Sequence, residues 1–162
     1  MNYNNLVLDF IDRTQKNLEF IEQAARFEKD SQVFEVTQLI NSLLGLIVFP
    51  NESYYKNIPE TPLAELEAQG WKIPAVSGQF RQVKDLRQLM RYLRNSIAHS
   101  NLEFDSDGSN LTGIRLWNCD NYKKTWEVRM SLAELRDLTF RFIELLRQEQ
   151  NQRLFVKQAC CQ

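Results

Sequence analysis

The sequence predicts an all-α protein: an antiparallel four-helix bundle with a short inserted helix and a small β-hairpin before the last helix. Four long segments repeat their apolar residues at the three-and-four spacing of helices that bury one face. Strand-like runs are confined to two short stretches late in the chain, too few for a doubly wound sheet. The chain has 162 residues, 43% hydrophobic and 25% charged. A chain of this size buries roughly 70% of its unfolded surface around one core. One helical domain is therefore expected over residues 1–151, followed by a C-terminal tail, 152–162.

Leu6, Phe10, Thr14, Leu18, Ile21 and Ala25, flanked by Val7 and Ile11, line one side of the first helix. Asp30 or Ser31 can cap a second, which carries Val33, Val36, Leu39, Ile40, Leu43, Leu44 and Ile47 and stops before Pro50. Apolar on more than one side, it belongs at the centre. Residues 51–60 read as loop, and Thr61-Pro62 as a start with Gly70 as a stop bracket the inserted helix. The next helix is expected over residues 80–98, with Leu86, Leu89, Met90, Leu93 and Ile97 facing the core. The polar stretch 105–110 separates it from residues 111–117 and 125–130, which pair as a hairpin around Asp120 and Asn121. Ser131 and Glu134 form a capping box for the last helix, built on Leu135, Leu138, Phe142, Leu145 and Leu146. Beyond Asn151 the chain is expected to fray, with Leu154, Phe155 and Val156 available to dock.

Several function classes drop out. The longest apolar run, residues 43–49, falls far below the roughly 20 residues of a membrane span. No Lys or Arg precedes Arg13, unlike the charged start of a signal peptide, so the expected location is cytoplasmic with no membrane partner. Cys119, Cys160 and Cys161 give no C-x-x-C spacing, and His99 is the single histidine, so neither a disulfide framework nor a metal site is expected. Asp105 and Asp107 in D-S-D-G lack the distal Glu of a calcium loop and read as turn formers. Neither G-x-x-x-x-G-K nor G-x-G-x-x-G occurs, and no cofactor is expected.

A net charge of −1 conceals a local asymmetry. Residues 1–79 carry six Lys/Arg against eleven Asp/Glu, a net of −5. Residues 80–99 carry Arg81, Lys84, Arg87, Arg91 and Arg94 against Asp85 alone, a net of +4. The remainder balances at nine each. Such a chain is no bulk polyanion coat; it concentrates its positive charge on one helix.

On that helix, with Lys84 as the reference direction, Arg87, Arg91 and Asn95 lie within about 60°, Arg94 about 80° to one side and His99 about 60° to the other. Each residue also has a plainer reading. His99 can complement the helix C-terminal dipole, Arg94 can be a solvated arginine, Asn95 can bond backbone, and Lys84, Arg87 and Arg91 can form an ordinary wet face. Trp117, Tyr122 and Trp126 on the hairpin either stack on bases or cover a core edge.

The string Arg94-Asn95-Ser96-Ile97-Ala98-His99, R-N-x-x-x-H near the end of a late bundle helix, resembles the signature of the HEPN superfamily. The stretch QLINSLLGLIVFP at residues 38–50 is similar to the second helix of plasmid-borne prokaryotic members. The resemblance implies a HEPN-like bundle acting on RNA as a homodimer with a composite active site, as a metal-independent endoribonuclease in the manner of toxins or antiviral effectors. An antitoxin or other regulatory partner is part of that picture. HEPN toxins silenced by nucleotidyltransferase antitoxins commonly carry a tyrosine two residues beyond the motif histidine; here that position is Asn101, which argues against that mode. The alternative class is a catalytically inactive HEPN-like RNA-binding or protein-interaction module.

The chemistry suits these residue types. Imidazole, with an unperturbed pKa of about 6.5, exchanges protons at neutral pH, and a guanidinium offers paired donors to phosphate oxygens without losing its charge. His99 would be base or acid, Arg94 the phosphate clamp and Asn95 an orienting hydrogen-bonding group, with Lys84, Arg87 and Arg91 binding RNA phosphates.

Overall fold

The computed structural model describes residues 6–27, 33–48, 58–77, 80, 83–108 and 110–159. These form α1 (Leu6–Phe27), α2 (Glu35–Val48), α3 (Leu63–Ala68), α4 (Leu86–Ala98), β1 (Leu102–Ser106), β2 (Leu111–Asp120), β3 (Lys123–Ser131) and α5 (Leu132–Ala159). The all-α expectation is thereby corrected to a mixed α/β fold: the described residues form five helices with a three-stranded antiparallel sheet, order β1-β2-β3. Asp30, Ser31, Pro50, residues 51–57, Arg81 and the Cys160-Cys161 pair lie outside the described residues.

The helices follow their apolar spacing. Ile11, Thr14 and Leu18 of α1 are buried, and Phe10 lies against Gly45 of α2, where an added Cβ would stand 3.3 Å from the ring. Helix α2 takes the expected central place, touching α1, α4 and α5 through a face that includes Leu39, Ile40, Leu43, Leu46 and Ile47. The capping box forms as the sequence predicts: Ser131 N and Oγ each donate to Glu134 Oε2 at 2.7 Å, and Glu134 N donates to Ser131 Oγ at 3.3 Å. Helix α5 then runs through Ala159, so the backbone expected to fray after Asn151 is helical. Bidentate Arg136–Glu22 contacts and the Arg147–Asp12 pair join α5 to α1.

Helix α4 begins later than expected. Asp85 is extended (φ −145°) and its carboxylate accepts from Gln88 N at 2.8 Å, which caps the helix at Leu86. Lys84 therefore precedes the helix, and its side chain does not belong to the helical face on which the sequence reading placed it. Residues Leu63 and Leu86 bond across to Lys84 O and Thr61 O, fastening the inserted α3 to the start of α4.

Strand β1 went unread because L-E-F-D-S offers two apolar positions beside residues typical of turns. Pairing with β2 supplies what its local sequence lacks. Asp105 accepts from Arg129 Nε at 2.7 Å and Nη2 at 2.8 Å, and this guanidinium holds the carboxyl below its ordinary pKa of 3.8. The hairpin is longer than expected, because cross-strand pairs run from Gly113–Ser131 out to Asp120–Lys123. One face of the sheet, Ile114, Leu116, Trp126, Val128 and Met130, is buried in a single core with Leu86, Leu89, Met90 and Leu93 of α4 and Leu135, Leu138 and Phe142 of α5.

Candidate functional site

The motif histidine sits at the C-cap of α4. Ser100 takes a left-handed conformation (φ 56°), Ser100 N donates to Ile97 O at 3.0 Å and Asn101 N to Ser96 O at 2.8 Å. Together these bonds form a Schellman closure, built on serine where glycine is usual. His99 N bonds Asn95 O at 3.1 Å, so the two motif side chains stand one turn apart. The plain C-cap reading of His99 thus holds for its backbone, while its side chain is exposed.

The hairpin builds the opposing wall. Asn118 Nδ2 donates to Tyr92 O at 3.1 Å, and the buried Ser96 hydroxyl shares its one proton between Tyr92 O at 2.9 Å and Asn118 Oδ1 at 3.2 Å. Tyr92 meets Trp126 edge to face, with centroids 5.3 Å apart. Trp117 N donates to Asn101 O at 3.1 Å, which ties the turn after His99 to β2. A register shift between Asn118 and Cys119 leaves Thr125 as the extra residue of a bulge. The space between helix and hairpin is a cleft of about 730 Å³, lined by Asn95, His99, Asn101, Cys119, Asn121 and Tyr122 with Tyr92, Asn118 and Thr125. Among the described residues, no carboxylate lines it.

A second groove, of about 510 Å³, shares Tyr92 and Asn95 with the first and is lined in addition by Lys84, Arg87, Gln88, Arg91 and the carboxylates Glu60 and Asp85. Within it Arg87 is already engaged: Nε donates to Ile58 O at 2.6 Å and the guanidinium pairs with Glu60. Lys84 and Arg91 are exposed. The fold thus brings Asn95 and His99 together and leads from them to Lys84, Arg87 and Arg91. Arg94 is half-buried and lines neither space. Helical geometry explains this, because residues five apart diverge by about 140° whereas residues four apart diverge by about 40°.

The hairpin aromatics separate. Trp126 is fully buried, and its Nε1 is the one buried side-chain N or O without a hydrogen-bond partner among the described residues. The Arg115 and Lys124 cations stand over the Trp117 ring, 5.5 and 5.0 Å from its centroid. Tyr122 alone of the three reaches the His99 cleft. Sequence reasoning missed Tyr92, Asn118, Asn121, Cys119 and Thr125 as cleft residues; the Asn-Tyr pair at the hairpin turn was the one local signal for this wall. Among the described residues no group of three or more His, Cys, Asp and Glu side chains could hold a metal ion, and no helix is long and apolar enough to cross a membrane.

No curated protein and no solved structure matches the chain. The family described as HEPN pEK499 p136 matches residues 1–153, a span that includes the whole helix–hairpin site and the R-N-x-x-x-H string. The chain belongs to the HEPN family.

Proposed function

We propose that this HEPN protein is a metal-independent endoribonuclease that works as a homodimer, in the role of a toxin or antiviral effector. The observation that carries the reading is the placement of His99 and Asn95 in a cleft that no carboxylate lines among the described residues, next to a groove containing Lys84, Arg87 and Arg91. A phosphodiester can enter such a cleft without meeting negative charge. RNA carries its own nucleophile. Removal of the 2′-OH proton lets O2′ attack phosphorus, the P–O5′ bond breaks, and a proton delivered to O5′ completes a 2′,3′-cyclic phosphate and a free 5′-hydroxyl. His99 serves one of these proton transfers, Asn95 orients the phosphate or the attacking hydroxyl, and Arg94, which lines neither space within one chain, neutralises the charge gathering on phosphorus in the composite site of the dimer. One imidazole per chain leaves the other proton transfer to a second subunit, and two-fold pairing is self-complementary.

Cleavage of mixed RNA in excess EDTA tests the proposal: activity should persist and leave 2′,3′-cyclic ends, and 2′-deoxy substitution at the scissile nucleotide should abolish it. A strict divalent-ion requirement, or 3′-hydroxyl products, would exclude the mechanism. The position of Arg94 outside the cleft favours a second reading, a silent RNA-binding module in which Asn95 and His99 hold phosphate without turning it over. RNA retained by the chain but recovered intact would select it.

A further inference from the structure

The turn joining β2 to β3 combines features that folding alone does not call for. Asn121 and Tyr122 both have positive φ, 46° and 63°. This is the two-residue hairpin geometry for which Asn-Gly is the favoured pair, because the second position is strained for any residue with a Cβ. A tyrosine occupies it. Its ring is fully exposed, with relative accessibility 104%, so no packing against the chain offsets the backbone strain. Tyr122 is nonetheless one of the residues lining the cleft that holds His99 and Asn95. One step down the hairpin, the bulge at Asn118, Cys119 and Thr125 bends the tip, a device that re-aims side chains beside binding sites.

The cleft is also lined by amide-bearing residues from three places in the chain: Asn95 on α4, Asn101 after the helix, and Asn121 in the turn. Each amide both donates and accepts. An exposed aromatic residue and several amides on one cleft that no carboxylate lines among the described residues, next to a groove that carries Lys84, Arg87 and Arg91, have the chemistry of a site for an unpaired nucleobase. A volume of about 730 Å³ falls within the roughly 300–1,000 Å³ of small-ligand sites. We propose that the β2–β3 tip is a base-stacking subsite: Tyr122 takes the face of an unpaired RNA base flanking the phosphate held near His99, and Asn95, Asn101 and Asn121 meet its edge. Single-stranded or looped RNA is then the substrate class, because a base inside a duplex presents no free face to the ring. The inference rests on RNA contact in the reading above, and not on turnover.

Fluorescence anisotropy of labelled 2′-O-methyl oligonucleotides, which lack the nucleophile and cannot be cleaved by the proposed mechanism, measures binding to the full chain. Unpaired strands should bind more tightly than the same strands in duplex. Tyr122→Gly should weaken single-strand binding about tenfold while its Tm stays level or rises, because glycine relieves the left-handed strain. Tyr122→Phe and Tyr122→Trp should keep near-native affinity. Unchanged affinity in Tyr122→Gly, or a clear fall in its Tm, would overturn the subsite, the latter by showing that the ring holds the hairpin together. Binding that ignores strand pairing would overturn the substrate class. A chain that binds no RNA at all would overturn this inference and the parent reading together, whereas binding lost in Tyr122→Gly without any RNA cleavage by the native chain would leave the subsite standing and remove only the nuclease.

Discussion

Gly113 lies at the centre of the sheet, paired with Asp105 on one side and Ser131 on the other. A Cβ built there would stand 2.4 Å from the backbone oxygen of Met130 and 3.3 Å from Asp105 Oδ2. The first contact is with main chain of the neighbouring strand, which no side-chain rotation can relieve, so Gly113→Ala must separate β2 from β3 locally. Overpacking of this kind costs about 2 kcal/mol, which for a chain of this size lowers Tm by roughly 4–8 °C. The sign is the informative part. An alanine for glycine at a position with room for its Cβ stabilises by about 0.4–1 kcal/mol through the unfolded chain's lost entropy, so a β2 strand not held against the β3 backbone would give the opposite shift. Urea denaturation followed by far-ultraviolet circular dichroism should show a lower midpoint with an unchanged slope. A neutral or raised midpoint would refute the close β2–β3 approach and the register that produces it.

His99→Ala and Arg94→Ala should each reduce RNA cleavage by about 10²–10⁴-fold with unaltered circular dichroism, and Arg94→Lys should also be poor because ammonium cannot copy the guanidinium fork; near-native cleavage would remove that residue from the site. Heterodimers of one intact and one His99→Ala chain should fall far below half activity if the site is composite, and half activity in purified mixed dimers would separate the sites. The Asp105 carboxyl titrates below its ordinary value of 3.8 in the folded chain because Arg129 bonds its charged form. Its contribution to stability is therefore present above about pH 4 and fades as pH falls through the folded value. The Tm difference between wild type and Asp105→Asn should accordingly shrink toward zero in acid; a difference that persists below about pH 2 would mean the ion pair is not its source.

The helices were legible because their signals are local. Apolar spacing in α1, α2 and α5, the Ser131–Glu134 box and the buried sector Leu86, Leu89, Met90 and Leu93 need only neighbours within a few turns. So was the motif, since Asn95 and His99 share a side of any helix that contains both. Tertiary structure decided the rest. Strand β1 exists because Arg129, 24 residues away, meets Asp105 and because β2 presents an edge to it, neither of which five residues can announce. Asp85 competes for the helix start through a single side-chain bond and removes Lys84 from the face that periodicity gave it. The cleft itself is a long-range product: Asn118 reaches Tyr92 across 26 positions, the bulge tilts the hairpin tip, and Tyr122 joins His99 in lining the cleft while Arg94 does not. Helical periodicity is set by covalent neighbours and fixes which residues share a side, but which surface then faces that side depends on strand register and packing that only the folded chain brings together.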